Sequence, residues 1–225
     1  MSLHAFLYMF IASVVALFPV MNPIGNGLVV NGFFGGLDLA QRKAATKRIV
    51  INCLVVGVGS LVMGHLILLL FGLAVPVIQV AGGIIICKTG LEWLSNSPVA
   101  SGVDKNPNVA HKVNLENVET KLFYPISFPI CLGPGSISVI FTLMATASVQ
   151  DDWLHTGLNY AVICLAIFAL LVVLYFVLIH APKVTKKLGE SGNLIINKLM
   201  AFITFCIGIQ IVVTGLSKIF HLQIL

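Results

Sequence analysis

Two short runs in this sequence hold the residue types from which a solute site could be built. "FPVMNPIG" covers Phe18–Gly25 and "FPICLGPG" covers Phe128–Gly135, and both fit Phe-Pro-x5-Gly inside long apolar segments. Pro23 has no N–H and its ring clashes with the carbonyl four residues back, while Gly25 and Gly27 accept backbone angles that other residues resist. The helix is therefore expected to break near Asn22. Beyond such a break the next half-helix offers unpaired N–H groups and a positive dipole end, which suits a carboxylate. The carbonyls before it, with Asn22 and Asn26, can accept from an ammonium, so the two ends together match a zwitterion. Gly133, Pro134 and Gly135, followed by Ser136 and Ser138, repeat the device. The candidate solute-binding residues are thus Asn22, Pro23, Gly25, Asn26, Gly133, Pro134, Gly135 and Ser136. The competing reading is that these prolines and glycines only kink packed helices, which is common in membrane proteins.

Other chemistries lack their residues. The 8 acids, Asp38, Glu92, Asp104, Glu116, Glu119, Asp151, Asp152 and Glu190, fall in expected loops or near span ends, which argues against a membrane-central proton relay or sodium ligand. There is no His-Glu-x-x-His, no Walker sequence and no nucleophile elbow, so neither an enzyme nor a metal or other cofactor is expected. Cys53, Cys87, Cys131, Cys164 and Cys206 stand singly in apolar stretches and read as small buried hydrophobes. His65 and Gln79 lie within apolar spans, where polar groups can mark pathways or simply pair with a neighbouring helix. Lys88 and Glu92, one helical turn apart, read as an interfacial ion pair, and Gly82, Gly83 and Gly208 as close-packing positions.

The elements that must position the two runs follow from composition. Of 225 residues, 58% are hydrophobic and 9% charged, with mean hydropathy +1.03, whereas soluble domains carry roughly 25% charged residues. This composition is that of an all-α integral membrane protein. Six spans are expected near 4–36, 48–71, 74–95, 121–149, 154–180 and 198–218, with Gly72 and Pro76 separating the second from the third. A straight helix over 4–36 would be ~50 Å long against a hydrocarbon layer of ~30 Å, so it must bend or break. The first apolar run has no basic n-region or small-residue cleavage site and reads as a retained span. Net charge +5 does not indicate nucleic acid, because the basic residues sit in short clusters between spans. Arg42, Lys43, Lys47, Arg48; Lys105, Lys112, Lys121; and Lys183, Lys186, Lys187, Lys198 all follow odd-numbered spans, so both termini are expected on the periplasmic side.

A second repeated pattern joins the first. "GIIICKTGL" at Gly83–Leu91 and "GIQIVVTGL" at Gly208–Leu216 both fit Gly-x5-Thr-Gly-Leu. Two patterns in the same order divide the chain into three-span repeats, 1–95 and 121–225, around a polar cytoplasmic linker, 96–120. An odd number of spans per half makes the repeats inverted, an arrangement common in secondary transporters, with a broken first helix in each half.

With Asn-Pro-x-Gly closing the first motif, Gly-Pro-Gly in the second and Val213-Thr214-Gly215 near the C-terminus, the chain resembles the MarC family of bacterial inner-membrane proteins over nearly its whole length. Asn22, Pro23, Gly25, Gly133, Pro134 and Gly135 match the family motifs. The linker 96–120 and the polar Asn26-Gly27 depart from the pattern. Some members are described as neutral amino acid transporters, so the resemblance implies a secondary transporter or exporter of small zwitterionic solutes, with the lipid bilayer and the solute as partners. A non-transporting membrane scaffold, or a lipid-carrier flippase or processing protein, is the alternative. Nothing in the sequence indicates a homo-oligomer or forbids one.

Overall fold

The computed structural model describes residues 3–95, 121–147 and 152–220, which contain helices and no strand. α1 (Leu3–Met21) is followed after one residue by α2 (Pro23–Phe33), and the pair counts as one candidate span of 31 residues. α3 covers Leu39–Phe71 and α4 covers Val75–Ser95. α5 (Leu122–Cys131) is an irregular helical segment interrupted by extended backbone at Tyr124 (φ −118, ψ 126) and Phe128 (φ −128, ψ 125), and α6 (Pro134–Ala147) leaves it at a bend of 58°. The helical run Trp153–Phe220 is divided at Gly189 (φ 67, ψ −178) into two candidate spans, α7 (Trp153–Lys187) and α8 (Leu194–Phe220). By length and apolarity 5 helices can cross a membrane, or 6 when the bent α5–α6 pair is one span. The linker 96–120 lies outside the described residues.

Two segments expected as loops are helical instead. The basic cluster Arg42, Lys43, Lys47 and Arg48 belongs to the first turns of α3, because Asp38 and Gln41 form a reciprocal capping box. The Gln41 N–H donates to Asp38 Oδ1 at 2.8 Å and the Asp38 N–H donates to Gln41 Oε1 at 3.0 Å. α7 likewise continues past Pro182 to Lys187. Its start is capped by Asp152, whose carboxyl is held below the usual carboxylate range by the backbone N–H and ring of His155.

Arg42 explains how α7 tolerates its proline. Pro182 cannot donate to the Leu178 carbonyl, and a bare carbonyl in an apolar interior is costly. Arg42 Nη1 donates to that oxygen at 3.2 Å, and Nη2 donates to Phe34 O, just beyond α2, at 3.4 Å. The guanidinium also lies 5.1 Å from the centre of the Phe34 ring. One cation thus ties the end of α2 to α7 and is itself buried.

α4 and α8 pack closely through the second repeated motif. A Cβ on Gly83 would lie 2.9 Å from Gly208 O, and one on Gly208 would lie 3.0 Å from Gly83 O. Gly90 faces Phe205 while Gly215 faces Val80, and Gly83 faces Val212 while Gly208 faces Cys87. As residue numbers rise on α4 they fall on α8, so the two helices run antiparallel. Lys198 Nζ donates to Leu94 O and, at 3.4 Å, to Trp93 O, neutralising the negative end of α4. Elsewhere α2 rests on α7, where Gly27 faces Val177 and Asn31 donates to Thr185 at 3.4 Å. α6 rests on α3, where Gly64 faces Phe141 and Met144.

Candidate functional site

The first break is a single left-handed residue. Asn22 has φ 38 and ψ 62, a region that asparagine enters more readily than most side chains. The helical ladder ends on one side of it and restarts on the other: the Asn22 N–H donates to Phe18 O at 2.9 Å to close α1, and the Asn26 N–H donates to Asn22 O at 2.9 Å to open α2. Asn22 caps α2 by accepting from the Gly25 N–H at 3.0 Å, and Pro23 takes the first helical position, where a missing N–H costs nothing. Asn26 Nδ2 donates to Met21 O at 2.6 Å, filling a carbonyl stranded at the end of α1.

Each asparagine spends half of its amide on the break. Asn22 is 4% exposed and Asn26 1% exposed. The Asn22 Nδ2 donor and the Asn26 Oδ1 acceptor have no protein partner. Buried amide groups are nearly always paired, because leaving one bare costs about 1–3 kcal/mol. The break therefore presents one spare donor and one spare acceptor, both uncharged, beside the N-terminal end of α2.

The second break has another chemistry. Leu132 is extended (φ −139, ψ 91), Tyr124–Pro125 and Phe128–Pro129 are cis, and the Ile137 N–H donates to Gly133 O at 3.1 Å to start α6. Ser127 holds the turn together. Its hydroxyl donates to Leu122 O at 2.6 Å and accepts from Asn52 Nδ2 at 3.3 Å, while its carbonyl accepts from the Leu132 N–H at 3.0 Å and from Cys53 Sγ at 3.7 Å. Cys131 and Cys53 are both buried in the apolar core here. Ser136 is buried at the start of α6.

The two breaks adjoin. A Cβ on Gly135 would lie 3.5 Å from Val20 Cγ1 of the first motif and 3.1 Å from Ile86 Cδ1 of α4. Gly25 is covered by the Asn22 amide, with Cγ 2.9 Å from where a Cβ would stand, and Gly133 lies 2.6 Å from Pro129 O by the same construction. These glycines meet protein atoms, so their immediate role is close packing, and the spare polarity of the site belongs to the asparagines.

The sequence model described as "MarC family integral membrane protein" matches residues 7–220. The chain belongs to the MarC family. It is 29% identical over 207 residues to the UPF0056 membrane protein YvbG of Bacillus subtilis (strain 168), covering 92% of this chain and 93% of that one. It is 24% identical over 205 residues to the UPF0056 inner membrane protein MarC of Escherichia coli (strain K12), covering 91% and 92%. No solved structure matches.

Within this MarC chain the sequence motifs mark both breaks but miss their supports. Nothing local marks Arg42 as a buried cation, or brings Asn52 and Cys53 to Ser127, because these contacts cross between helices. Of the cysteines read as small buried hydrophobes, Cys53 and Cys131 are buried in the core, Cys87 and Cys164 are partly buried, and Cys206 is exposed. Gln79, noted for its polarity in an apolar span, is 2% exposed and its Oε1 has no protein partner. The side chain of His65 lies outside the described residues. Lys88 and Glu92 do pair, at 3.9 Å, with both side chains exposed.

Proposed function

We propose that this MarC-family chain is a secondary transporter or exporter of small, neutral, zwitterionic solutes such as amino acids across the bacterial cytoplasmic membrane, and not an enzyme. The observation that carries the reading is the unpaired amide atoms at the α1–α2 break. Asn22 Nδ2 can donate to a carboxylate and Asn26 Oδ1 can accept from an ammonium. Neither is charged, so a solute with no net charge leaves no uncompensated ion in the interior. The α2 N-terminus adds a partial positive charge on the carboxylate side. Pro23, Gly25, Gly133, Pro134, Gly135 and Ser136 shape the two backbones that adjoin at this level.

The reading includes an inverted repeat with a pseudo-twofold axis in the membrane plane. Its support is the α4–α8 contact, where equivalent glycines Gly83 and Gly208 face each other and the pairs Gly90–Phe205 and Gly215–Val80 exchange roles on antiparallel helices. The exchange of α2 onto α7 and α6 onto α3 is of the same kind. The basic first turns of α3, the linker 96–120 and the Pro182–Asn197 segment face the cytoplasm, and both termini face the periplasm, by the positive-inside rule. A cysteine at Lys186 labelled readily from outside intact cells would overturn that sidedness.

A membrane scaffold is the second reading, favoured by the filled glycine positions at Gly25, Gly133 and Gly135. Flux of radiolabelled neutral amino acids into proteoliposomes separates the two. Transport requires solute-dependent uptake that Asn22→Leu and Asn26→Leu abolish while the protein still inserts and elutes as a folded species. No uptake by the unmodified protein across the neutral amino acids would leave the scaffold.

A further inference from the structure

Hydroxyls in these helices usually satisfy themselves. Ser60 donates to Val56 O at 2.7 Å, Thr185 to Ala181 O at 2.7 Å and Thr204 to Met200 O at 2.8 Å, each one turn back along its own helix. Ser13 on α1 and Thr46 on α3 are exceptions, each buried with no partner for its hydroxyl. Ser13 is 1% exposed in the middle of α1, although the Met9 carbonyl is in the usual position to accept. Gln79 Oε1, on α4, is the other such atom at that depth.

Their shared depth follows from Gly135. Val20 of α1 and Ile86 of α4 both border the place where its Cβ would stand. Ser13 lies seven residues before Val20, and Gln79 lies seven residues before Ile86. Seven residues are close to two full turns, so each side chain stays on the face its helix turns to Gly135, about 10 Å further along the axis. α1 and α4 cross in the same direction because α3 returns between them, so both displacements go the same way. On α6, Ser138 donates to Ile78 O at 2.9 Å and sits against Gly82, and the antiparallel register carries Thr142 to the level of Gln79.

We propose that Ser13 and Gln79, between α1, α4 and α6, form a second polar station, separate from the Asn22–Asn26 break, which receives a hydrogen-bond donor of a small uncharged or zwitterionic solute, or water in its place. Gln79 Oε1 requires a donor, and the Ser13 hydroxyl can accept or donate. The station lies toward the N-terminal end of α1, so with the break it makes two stops along one helix. It rests on the transport reading for its purpose and on the two orphaned oxygens for its existence.

The test uses the full-length protein in proteoliposomes and methanethiosulfonate-ethylammonium, a small hydrophilic thiol reagent. Ser13→Cys and Gln79→Cys should each gain one adduct over the unmodified protein by intact mass, whereas Ile167→Cys, equally buried in the apolar core, should gain none. Gln79→Leu should lower neutral amino acid uptake about tenfold through one lost hydrogen bond. Added to Ser13→Cys, Asn22→Leu should abolish uptake and leave the adduct unchanged. Absence of adducts at both positions, or equal labelling of Ile167→Cys, would refute the station. Adducts at both positions in a protein that transports no neutral amino acid would sink the transport reading and leave a hydrated station standing.

Discussion

At Asn22 the chain passes through one left-handed residue and its own asparagines patch the interrupted ladder, while at Leu132–Gly133 it bends by 58° and is held by side chains from another helix. Both breaks carry Phe-Pro-x5-Gly. The second is closed: Ser127 is bonded through both its hydroxyl and its carbonyl, and Asn52 and Cys53 of α3 supply two of the partners. The first is left open, with one spare donor and one spare acceptor. Every unpartnered buried side-chain N or O among the described residues lies between Ser13 and Gln79. The repeated motif thus interrupts the helix twice by different backbone routes, and only the first copy leaves buried amide atoms unpartnered.

Stability and function should therefore separate along the two breaks. The largest effect is expected for Gly135→Leu, which drives a side chain into Ile86 and Val20. Overpacking of this kind should cost about 3 kcal/mol or more, seen as a collapse of the melting temperature in detergent. A normal melting curve would mean that the second break is not a packed joint. Next is Arg42→Leu, which strips the Leu178 carbonyl of its donor beside Pro182 and should cost about 1–3 kcal/mol. Arg42→Lys should recover part of that, because one ammonium can still reach a carbonyl but lacks the fork that spans both.

The sharpest contrast pairs Ser127→Ala with Asn22→Gly. The serine change should destabilise by about 1–2 kcal/mol, without touching the spare amides. The glycine change keeps the left-handed turn and should cost only a few tenths of a kcal/mol as a cap, yet it removes the spare donor and should abolish solute uptake. If Asn22→Gly transports normally in the flux assay, the first break is no more a binding site than the second. The smallest effect is expected from Lys88→Gln with Glu92→Gln. That pair is 3.9 Å apart with side chains 76% and 56% exposed, so melting temperature and uptake should stay within error.

Much of this molecule was legible one segment at a time. Apolar run lengths and the charge clusters mark the spans, because a bilayer imposes a length on any helix that crosses it. Pro23 and the Gly133-Pro134-Gly135 run mark both breaks, because a missing N–H acts on its own chain whatever surrounds it. The Asp38–Gln41 capping box is equally local, a cue that the expected connection before residue 48 leaves out. The apolar spans, the family and the two interruptions can therefore be read from the chain alone. Which interruption keeps spare polarity depends instead on the packing between helices. Arg42 reaches the carbonyl that Pro182 strands, Asn52 and Cys53 close on Ser127, and Gly135 brings α1, α4 and α6 to one level. A hydrogen bond is satisfied or orphaned by whichever helix packs beside it, and residues far apart in the chain reveal that partner only once the bundle has closed.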